Sequence, residues 1–337
     1  MAEPVCIFAT ENGTKGQLHK MLYLEQFLFP DQETEEQFIN PPGGINPDMI
    51  GYYSEIYPFC QTTRLGLFSM DFEPITLLCG GNGSGKSTVL NIIARKLNAD
   101  RSSRYNTTRH MESFVDLCHY TAAPSLSGEE VFGGNRQKQV FDISSICHVI
   151  TSDDIFQGMQ EFRLKNEQRL HKSKFMLNDY GRARLSNPVI NPDHPPHINL
   201  ETRYGLKEYS AVVEMRKKSF NRYLQDTIGK IERGFSNGET ALMRLSEQLE
   251  DPGIYILDEP ENSMSCEFQM QLAQLIEYFG HSGNCQFIIA THSPFLMAME
   301  GAKVYDFDHC PVDVVKWYET ENARLYYDFF KIHRDKF

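Results

Sequence analysis

No run of 18 apolar residues occurs anywhere in the 337-residue chain, so no segment is expected to cross a bilayer as a helix. The start, Met1-Ala2-Glu3-Pro4, lacks a basic stretch followed by an apolar core, so no secretory signal is expected. Eight cysteines are scattered without a Cys-x-x-Cys pair. That argues against a zinc site or a disulfide framework and fits reduced thiols in a cytoplasm. The nearest approach to a metal pair, His194-Pro195-Pro196-His197, holds two prolines that favour a stiff surface loop over metal ligation. Internal repeats, low-complexity segments and heptad runs are all missing, and the last of these excludes a long coiled coil. Positive charge is scarce, with 33 Lys/Arg against 45 Asp/Glu and a net of −12. Generic nucleic-acid binding over the whole surface is therefore disfavoured.

What is present is an ordinary globular composition, 41% hydrophobic and 23% charged, long enough for one large domain or two small ones. The charge is unevenly spread. Residues 163–222 carry 13 Lys/Arg and 6 Asp/Glu, a net of +7, which leaves −19 for the rest. Such asymmetry marks either a partner-binding face or a solvated helical segment. The punctuation of the chain divides it into 1–60, an amino-terminal extension leading into edge strands and broken at Pro41-Pro42-Gly43-Gly44; 61–153, a lobe with strand, glycine loop and helix; 154–235, an inserted, mostly helical subdomain; 236–310, the remainder of the core; and 311–337, a final strand and helix. Residues 99–142 read as irregular structure around short strands, and Ser144 to Ile150 as a strand.

The strongest motif is Gly80-Gly81-Asn82-Gly83-Ser84-Gly85-Lys86-Ser87-Thr88, which fits the phosphate loop G-x-x-x-x-G-K-[ST]. It follows the apolar run Ile75–Cys79 and precedes Val89, Leu90, Ile92, Ile93 and Leu97, spaced as one helix face. Glycines there let backbone N–H groups close on phosphate oxygens, and the helix start adds partial positive charge. Asn82, Gly83, Ser84, Gly85, Lys86, Ser87 and Thr88 are the candidate nucleotide contacts. Lys86 is placed to reach the β- and γ-phosphates and Ser87 to ligate Mg²⁺. A second apolar run, Ile254–Leu257, ends in Asp258 and Glu259. Asp258 suits the Mg²⁺ shell beside Ser87, and Glu259, pointing elsewhere, suits a general base for the attacking water. His292 follows the apolar run Gln286–Ala290, where it can hydrogen-bond a γ-phosphate. Between the two runs, Phe268, Leu272, Leu275, Ile276 and Phe279 keep helical spacing, so strand, helix and strand imply a parallel sheet covered by helices. Ser236-Asn237-Gly238-Glu239 opens another helix and forms a second anion site from a hydroxyl, a close backbone approach and a helix dipole. A chain with its own phosphate loop points this second site at a nucleotide held by another copy.

In this order the parts resemble the ATP-binding cassette (ABC) ATPase superfamily, over roughly residues 60–310. Within it, Leu257-Asp-Glu-Pro-Glu-Asn262 and Ala290-Thr-His-Ser-Pro-Phe-Leu296 resemble the soluble bacterial ABC/AAA-type ATPases related to RecF, SMC and OLD heads. The resemblance implies an α/β P-loop NTPase of ABC-ATPase type: a mostly parallel sheet flanked by helices, with an antiparallel amino-terminal subsheet and an inserted helical subdomain. It implies ATP and Mg²⁺ as cofactors and a head-to-tail homodimer. Each ATP would lie between one phosphate loop and the partner's Ser236 to Glu239, and hydrolysis would open the pair. Asn262-Ser263-Met264-Ser265 resembles the D-loop. Asn237 stands where the signature has glycine, and the Q-loop position is open among Ser152, Asp153, Gln157 and Gln160. Tyr57, Phe59 and Phe68 are the candidates for an adenine-stacking aromatic. Three roles stay open: an ATPase acting on nucleic acid through the basic insert 163–222, in DNA repair or antiphage defence; an ATP-gated regulatory subunit holding and releasing an effector such as a nuclease or toxin; and, weakest, a transporter subunit. The 150 residues from Lys86 to Ser236 are too few for the coiled coil of SMC-type proteins. The 48 after Ile289 are too few for an ordinary nuclease domain, and Asp306 and Asp308 read as a strand end.

Overall fold

The computed structural model describes residues 22–42, 44, 56–122, 127–132, 135–140, 143–185, 222, 237–262, 264–281 and 284–336. The chain divides into two compact units, Met1–Ile155 with Leu242–Phe337, and Phe156–Ala241.

The first unit is built on a seven-stranded sheet. Its strands are β3 (Ile75–Cys79), β4 (Asp100–Arg101), β8 (Cys147–Thr151), β9 (Gly253–Asp258), β10 (Cys285–Thr291), β11 (Lys303–Asp306) and β12 (Asp313–Val315). The order is β12-β11-β3-β10-β9-β8-β4. All neighbours run parallel except β12, which closes one edge antiparallel to β11. Every residue of β3 and β10 is buried, the pattern of strands covered on both faces. Leu78, Ile254, Ile256, Ile288 and Ala290 share one core with Val89, Leu90, Ile92 and Ile93 of helix α3 (Lys86–Lys96). On the alternate residues lies helix α7 (Cys266–His281), whose Gly280 has no space for a Cβ: one would meet the Ile75 side chain at 2.8 Å. The fold is therefore α/β, a mostly parallel sheet between helices.

A second, antiparallel sheet packs on the α3 core. Its order is β2 (Ser69–Asp71), β1 (Leu24–Leu28), β5 (His119–Ala122). Strand β1 takes its middle, where an edge strand was expected. Two buried polar groups tie the sheets together. Gln286 of β10 accepts the Tyr23 and Leu24 N–H groups at 3.1 and 2.8 Å and donates to the Leu24 carbonyl at 2.8 Å. The Tyr305 hydroxyl bridges the N–H and carbonyl of Asp71. Strands β6 (Ser127–Phe132) and β7 (Asn135–Val140) pair as a separate hairpin.

Two stretches differ from the sequence expectation. Residues 99–142 hold a helix, α4 (Met111–Leu117), with Met111, Phe114 and Val115 buried. The strand expected from Ser144 begins at Cys147, after a 3₁₀ turn at Ile143–Ile146. That turn buries Ile143 and Ile146 and leaves Ser144 and Ser145 between them, the i,i+3 spacing of a 3₁₀ turn. The remaining helices of this unit are α1 (Gln32–Ile39), α2 (Gln61–Arg64), α8 (Pro294–Met297) and α9 (Glu321–Ile332).

In the second unit the described residues form most of α5 (Ser152–Leu185) and the first turn of α6 (Asn237–Gln248), besides residue 222. Of the basic segment 163–222, residues 163–185 are helical and most of the rest lies outside the described residues. Among the described residues no helix is long and apolar enough to cross a membrane.

Candidate functional site

The phosphate loop leaves β3 at Cys79 and enters α3 at Lys86. Gly80, Gly83 and Gly85 have φ of 152°, 80° and 103°, a region L side chains rarely adopt. At Gly80 a Cβ would also meet Phe307 at 2.9 Å. Gly81, Asn82, Gly83 and Ser87 are exposed, so the loop's outer face is open to solvent. Lys86 is buried beneath the loop and donates from Nζ to the carbonyls of Gly80 and Gly81 at 2.8 and 2.9 Å. Burial lowers its pKa, against the nearby carboxylates of Glu259, Asp308 and Asp258, which act to raise it. From the far side Asp308 accepts the Gly81 N–H at 2.6 Å. Asp308 is itself set by buried Asp306, whose carboxylate accepts the Asp308 N–H and meets His309 Nδ1, both at 2.9 Å. The two aspartates thus brace the loop.

Strand register delivers the carboxylates. Asp258 ends β9 level with Ala290 of β10 and Thr151 of β8. The Ser87 hydroxyl donates to Asp258 Oδ1 at 3.0 Å. Burial raises the Asp258 pKa, and the Ser87 hydrogen bond works against that. Glu259 follows with φ of 50°, an unusual conformation for a residue with a Cβ, and its N–H donates to the Ala290 carbonyl at 2.9 Å. Both carboxylate oxygens are engaged: Oε1 lies 3.0 Å from His292 Nε2, and Oε2 accepts from Asn262 Nδ2 at 2.9 Å. Lys86, Ser87, Asp258, Glu259 and His292 therefore converge at the ends of β3, β9 and β10.

Several placements were not anticipated. Glu261 is buried, and its Oε1 accepts from the Thr291 hydroxyl at 2.6 Å, the His292 N–H at 2.8 Å and the Ser293 N–H at 3.2 Å. Its Oε2 is also buried and has no hydrogen-bond partner among the described residues. Burial raises its pKa, and the hydrogen bonds from Thr291 and His292 oppose the rise. Asn322 of α9 donates to the His292 carbonyl at 2.7 Å. The sequence signal for Glu261 was its place in the 257–262 phrase; Asn322 had none.

Of the Q-loop candidates, Ser152 opens α5, Asp153 is exposed, and Gln157 and Gln160 are exposed on that helix. Gln157 is turned to Glu161, 3.2 Å away. The residue level with Asp258 is Thr151. Its hydroxyl meets Asp154 Oδ2 at 2.8 Å, and Asp154 also accepts from Ser102 at 2.7 Å. Among the aromatics, Phe59 is a core residue stacked on Phe38 and edge-on to Phe114. Phe68 is exposed. Tyr57 reaches α3, its hydroxyl 3.2 Å from Thr88 Oγ1. Gly238 is buried and Glu239 exposed on the first turn of α6, in the second unit; Ser236 and Ser263 lie outside the described residues.

Glycine loop, buried lysine and strand-end carboxylate on a parallel sheet decide the architecture. The arrangement is that of a P-loop nucleotide site: a parallel strand, a glycine loop and the start of a helix. Residues 213–298, about a quarter of the chain, match the family described as "AAA domain, putative AbiEii toxin, Type IV TA system". That stretch takes in Ser236, Asp258, Glu259 and His292 and stops short of the phosphate loop. No curated protein matches the sequence. Solved structures with similar folds include an Smc head domain with an extended coiled coil bound to the C-terminal domain of ScpA, from Pyrococcus furiosus, at 14% identity and a TM-score of 0.34, covering 78% of this chain and 95% of that one. An SMC head domain from Thermotoga maritima gives 13% and 0.32, covering 85% and 94%. A nucleotide-free ATP-binding cassette from an ABC transporter gives 15% and 0.31, covering 71% and 80%. The donor set fits a nucleotide with Mg²⁺: the Ser87 hydroxyl and the Asp258 carboxylate are hard oxygens suited to Mg²⁺, beside exposed loop glycines suited to phosphate.

Proposed function

We propose that this protein is a cytoplasmic ATPase that binds and hydrolyses ATP at a site shared between two copies, and that it uses the closing and opening of that dimer to act on nucleic acid in DNA repair or antiphage defence. The observation that carries the chemistry is the pair of 3.0 Å contacts at neighbouring strand ends, Ser87 to Asp258 and Glu259 to His292. Lys86 exchanges its loop carbonyls for the β- and γ-phosphates. Ser87 and Asp258 would hold Mg²⁺, which would supply charge neutralisation at the phosphates. Glu259 takes the proton of the water that attacks the γ-phosphorus, while the bond to the β-phosphate oxygen breaks. Each Glu259 oxygen carries one contact and keeps a further lone-pair site for that water. His292 turns to the γ-phosphate. Ser236, Gly238 and Glu239 serve the ATP of the partner copy.

The target is read from charge: the +7 segment 163–222 in a chain of net −12 suits a polyanion. The matched family is described by a toxin and a toxin–antitoxin system. That favours a defence setting and supports a second reading, in which the ATPase gates a partner effector, a nuclease or toxin. One set of measurements tests both. ATP turnover in the wild type should be lost in Lys86→Ala with nucleotide affinity weakened about 10- to 150-fold, the equivalent of the roughly 1.5–3 kcal/mol of a charged hydrogen bond. Retention on DNA should fall steeply with salt. Wild-type nucleotide affinity in Lys86→Ala would refute the site. Salt-insensitive or absent DNA binding, with an effector co-purifying, would select the second reading.

A further inference from the structure

Three groups hold His292. Its ring lies 3.0 Å from Glu259, its N–H donates to Glu261 Oε1 at 2.8 Å, and its carbonyl accepts from Asn322 Nδ2 at 2.7 Å. Glu261 also binds the Thr291 hydroxyl and the Ser293 N–H, so residues 291–293 are gripped as one piece. Asn322 belongs to a different element, the first turn of α9.

The construction of α9 gives that contact a consequence. Its base is fixed. Thr320 is buried and caps the helix by accepting the Ala323 N–H at 3.3 Å, while its hydroxyl donates to the Trp317 carbonyl at 2.8 Å. Of the twelve helical residues only Ala323 is buried. Leu325, Tyr327, Phe329 and Ile332 further along are all more than half exposed. A twelve-residue helix is about 18 Å long, so a small displacement at its anchored first turn becomes a larger one at its far end.

We propose that Asn322 makes α9 the readout of His292: when the histidine engages a γ-phosphate, its carbonyl moves and draws the base of α9 with it. This rests on the reading of His292 as the residue that meets the γ-phosphate. Asn322 is a positioning residue, touching neither substrate nor reacting atoms. The coupling gives the ATPase an output separate from the proposed dimer interface, on an element whose outer residues are exposed and apolar.

The chain supplies its own reporter, since Trp317 is its single tryptophan and sits at the base of α9, partly exposed. Emission of Trp317 is read on the full chain with Mg²⁺ and either ADP or a non-hydrolysable ATP analogue, whose binding is measured separately by equilibrium dialysis. The wild type should give different emission with the two nucleotides. His292→Ala should lose the difference. Asn322→Ala and the isosteric Asn322→Asp should lose it too while still binding the analogue. The aspartate variant carries the test if alanine impairs folding. Analogue binding with no difference in the wild type, or a full difference retained in both Asn322 variants, would overturn the coupling and leave the ATPase reading standing. Failure of the analogue to bind the wild type would instead remove the ATPase reading, and the coupling with it.

Discussion

Glu259 combines a left-handed backbone, two engaged carboxylate oxygens and a position one residue beyond the strand-end Asp258. Such a backbone costs about 1–2 kcal/mol in a residue with a Cβ, and here it is held by the hydrogen bond to the Ala290 carbonyl. The conformation turns the carboxylate away from the Asp258 side and toward His292. Glu259→Gln keeps the size and the backbone demand but removes the basic oxygen. The expected result is unimpaired ATP binding with turnover slower by about 10²- to 10⁴-fold, the usual contribution of a general base. Single-turnover hydrolysis of radiolabelled ATP measures it, and wild-type turnover would remove Glu259 from that role. Asp308 shows the opposite case. As sequence, Asp306 and Asp308 look like a strand end. In the fold, Asp306 is spent on orienting its own turn and Asp308 on Gly81, 227 residues away in the chain.

At the scale of elements, what could be read in advance was local. Strands β3, β9 and β10 are short apolar runs bounded by turn residues, and α3 and α7 repeat apolar residues at helical spacing, so periodicity and length separate them. The motif residues follow, because each sits at the end of one of these elements. Helix α4 escaped because seven residues hold too few turns to show a period, and the start of β8 was read too early because a 3₁₀ turn buries isoleucines just before it. The contacts of Glu261 and Asn322 with His292 span 31 and 30 residues, and no local pattern encodes them. Helix α1 shows how one buried carboxylate ties elements together. Asp31 caps the helix by accepting the Thr34 N–H at 2.8 Å, and Glu35 on its inner side accepts the Cys60 N–H at 2.6 Å and the Thr62 hydroxyl at 3.2 Å. Burial raises the Glu35 pKa above its ordinary 4.5, with the Cys60 hydrogen bond opposing. A carboxyl with a folded pKa above its unfolded one binds its proton more tightly when folded. Its contribution to stability is therefore greatest below about 4.5 and falls as pH rises through the folded pKa. Glu35→Gln does not titrate there. Urea unfolding at about pH 4 and about pH 7 should show the variant gaining on the wild type at the higher pH. An unchanged difference would mean that Glu35 titrates alike in both states. Glu35→Ala, which strands the Cys60 and Thr62 donors, should cost about 1–3 kcal/mol.

For the whole molecule, the proposed joint is ATP itself, and the residue that tests it is Ser236. The family match spans the signature, Asp258, Glu259 and His292 together, and the signature opens a helix, α6, whose first turn carries Gly238 and Glu239. A helix start attracts a phosphate through unpaired N–H groups and partial positive charge. Replacing the serine with arginine exchanges a small hydroxyl for a long side chain and leaves Lys86, Ser87 and Asp258 unaltered in sequence. If the site is shared, Ser236→Arg should leave each monomer able to bind nucleotide and unable to pair. The Glu259→Gln background makes the comparison clean, because ATP then stays intact while dimers accumulate. Light scattering with ATP and Mg²⁺ should report twice the monomer mass for Glu259→Gln and the monomer mass for the Ser236→Arg/Glu259→Gln double variant. Equal nucleotide affinity in the two proteins, measured at concentrations too low for either to pair, separates loss of pairing from loss of binding, since a ligand held by both copies binds more tightly once the dimer forms. A double variant that still dimerises with ATP would show that the nucleotide is not sandwiched at Ser236, and the two signatures would have to serve another purpose.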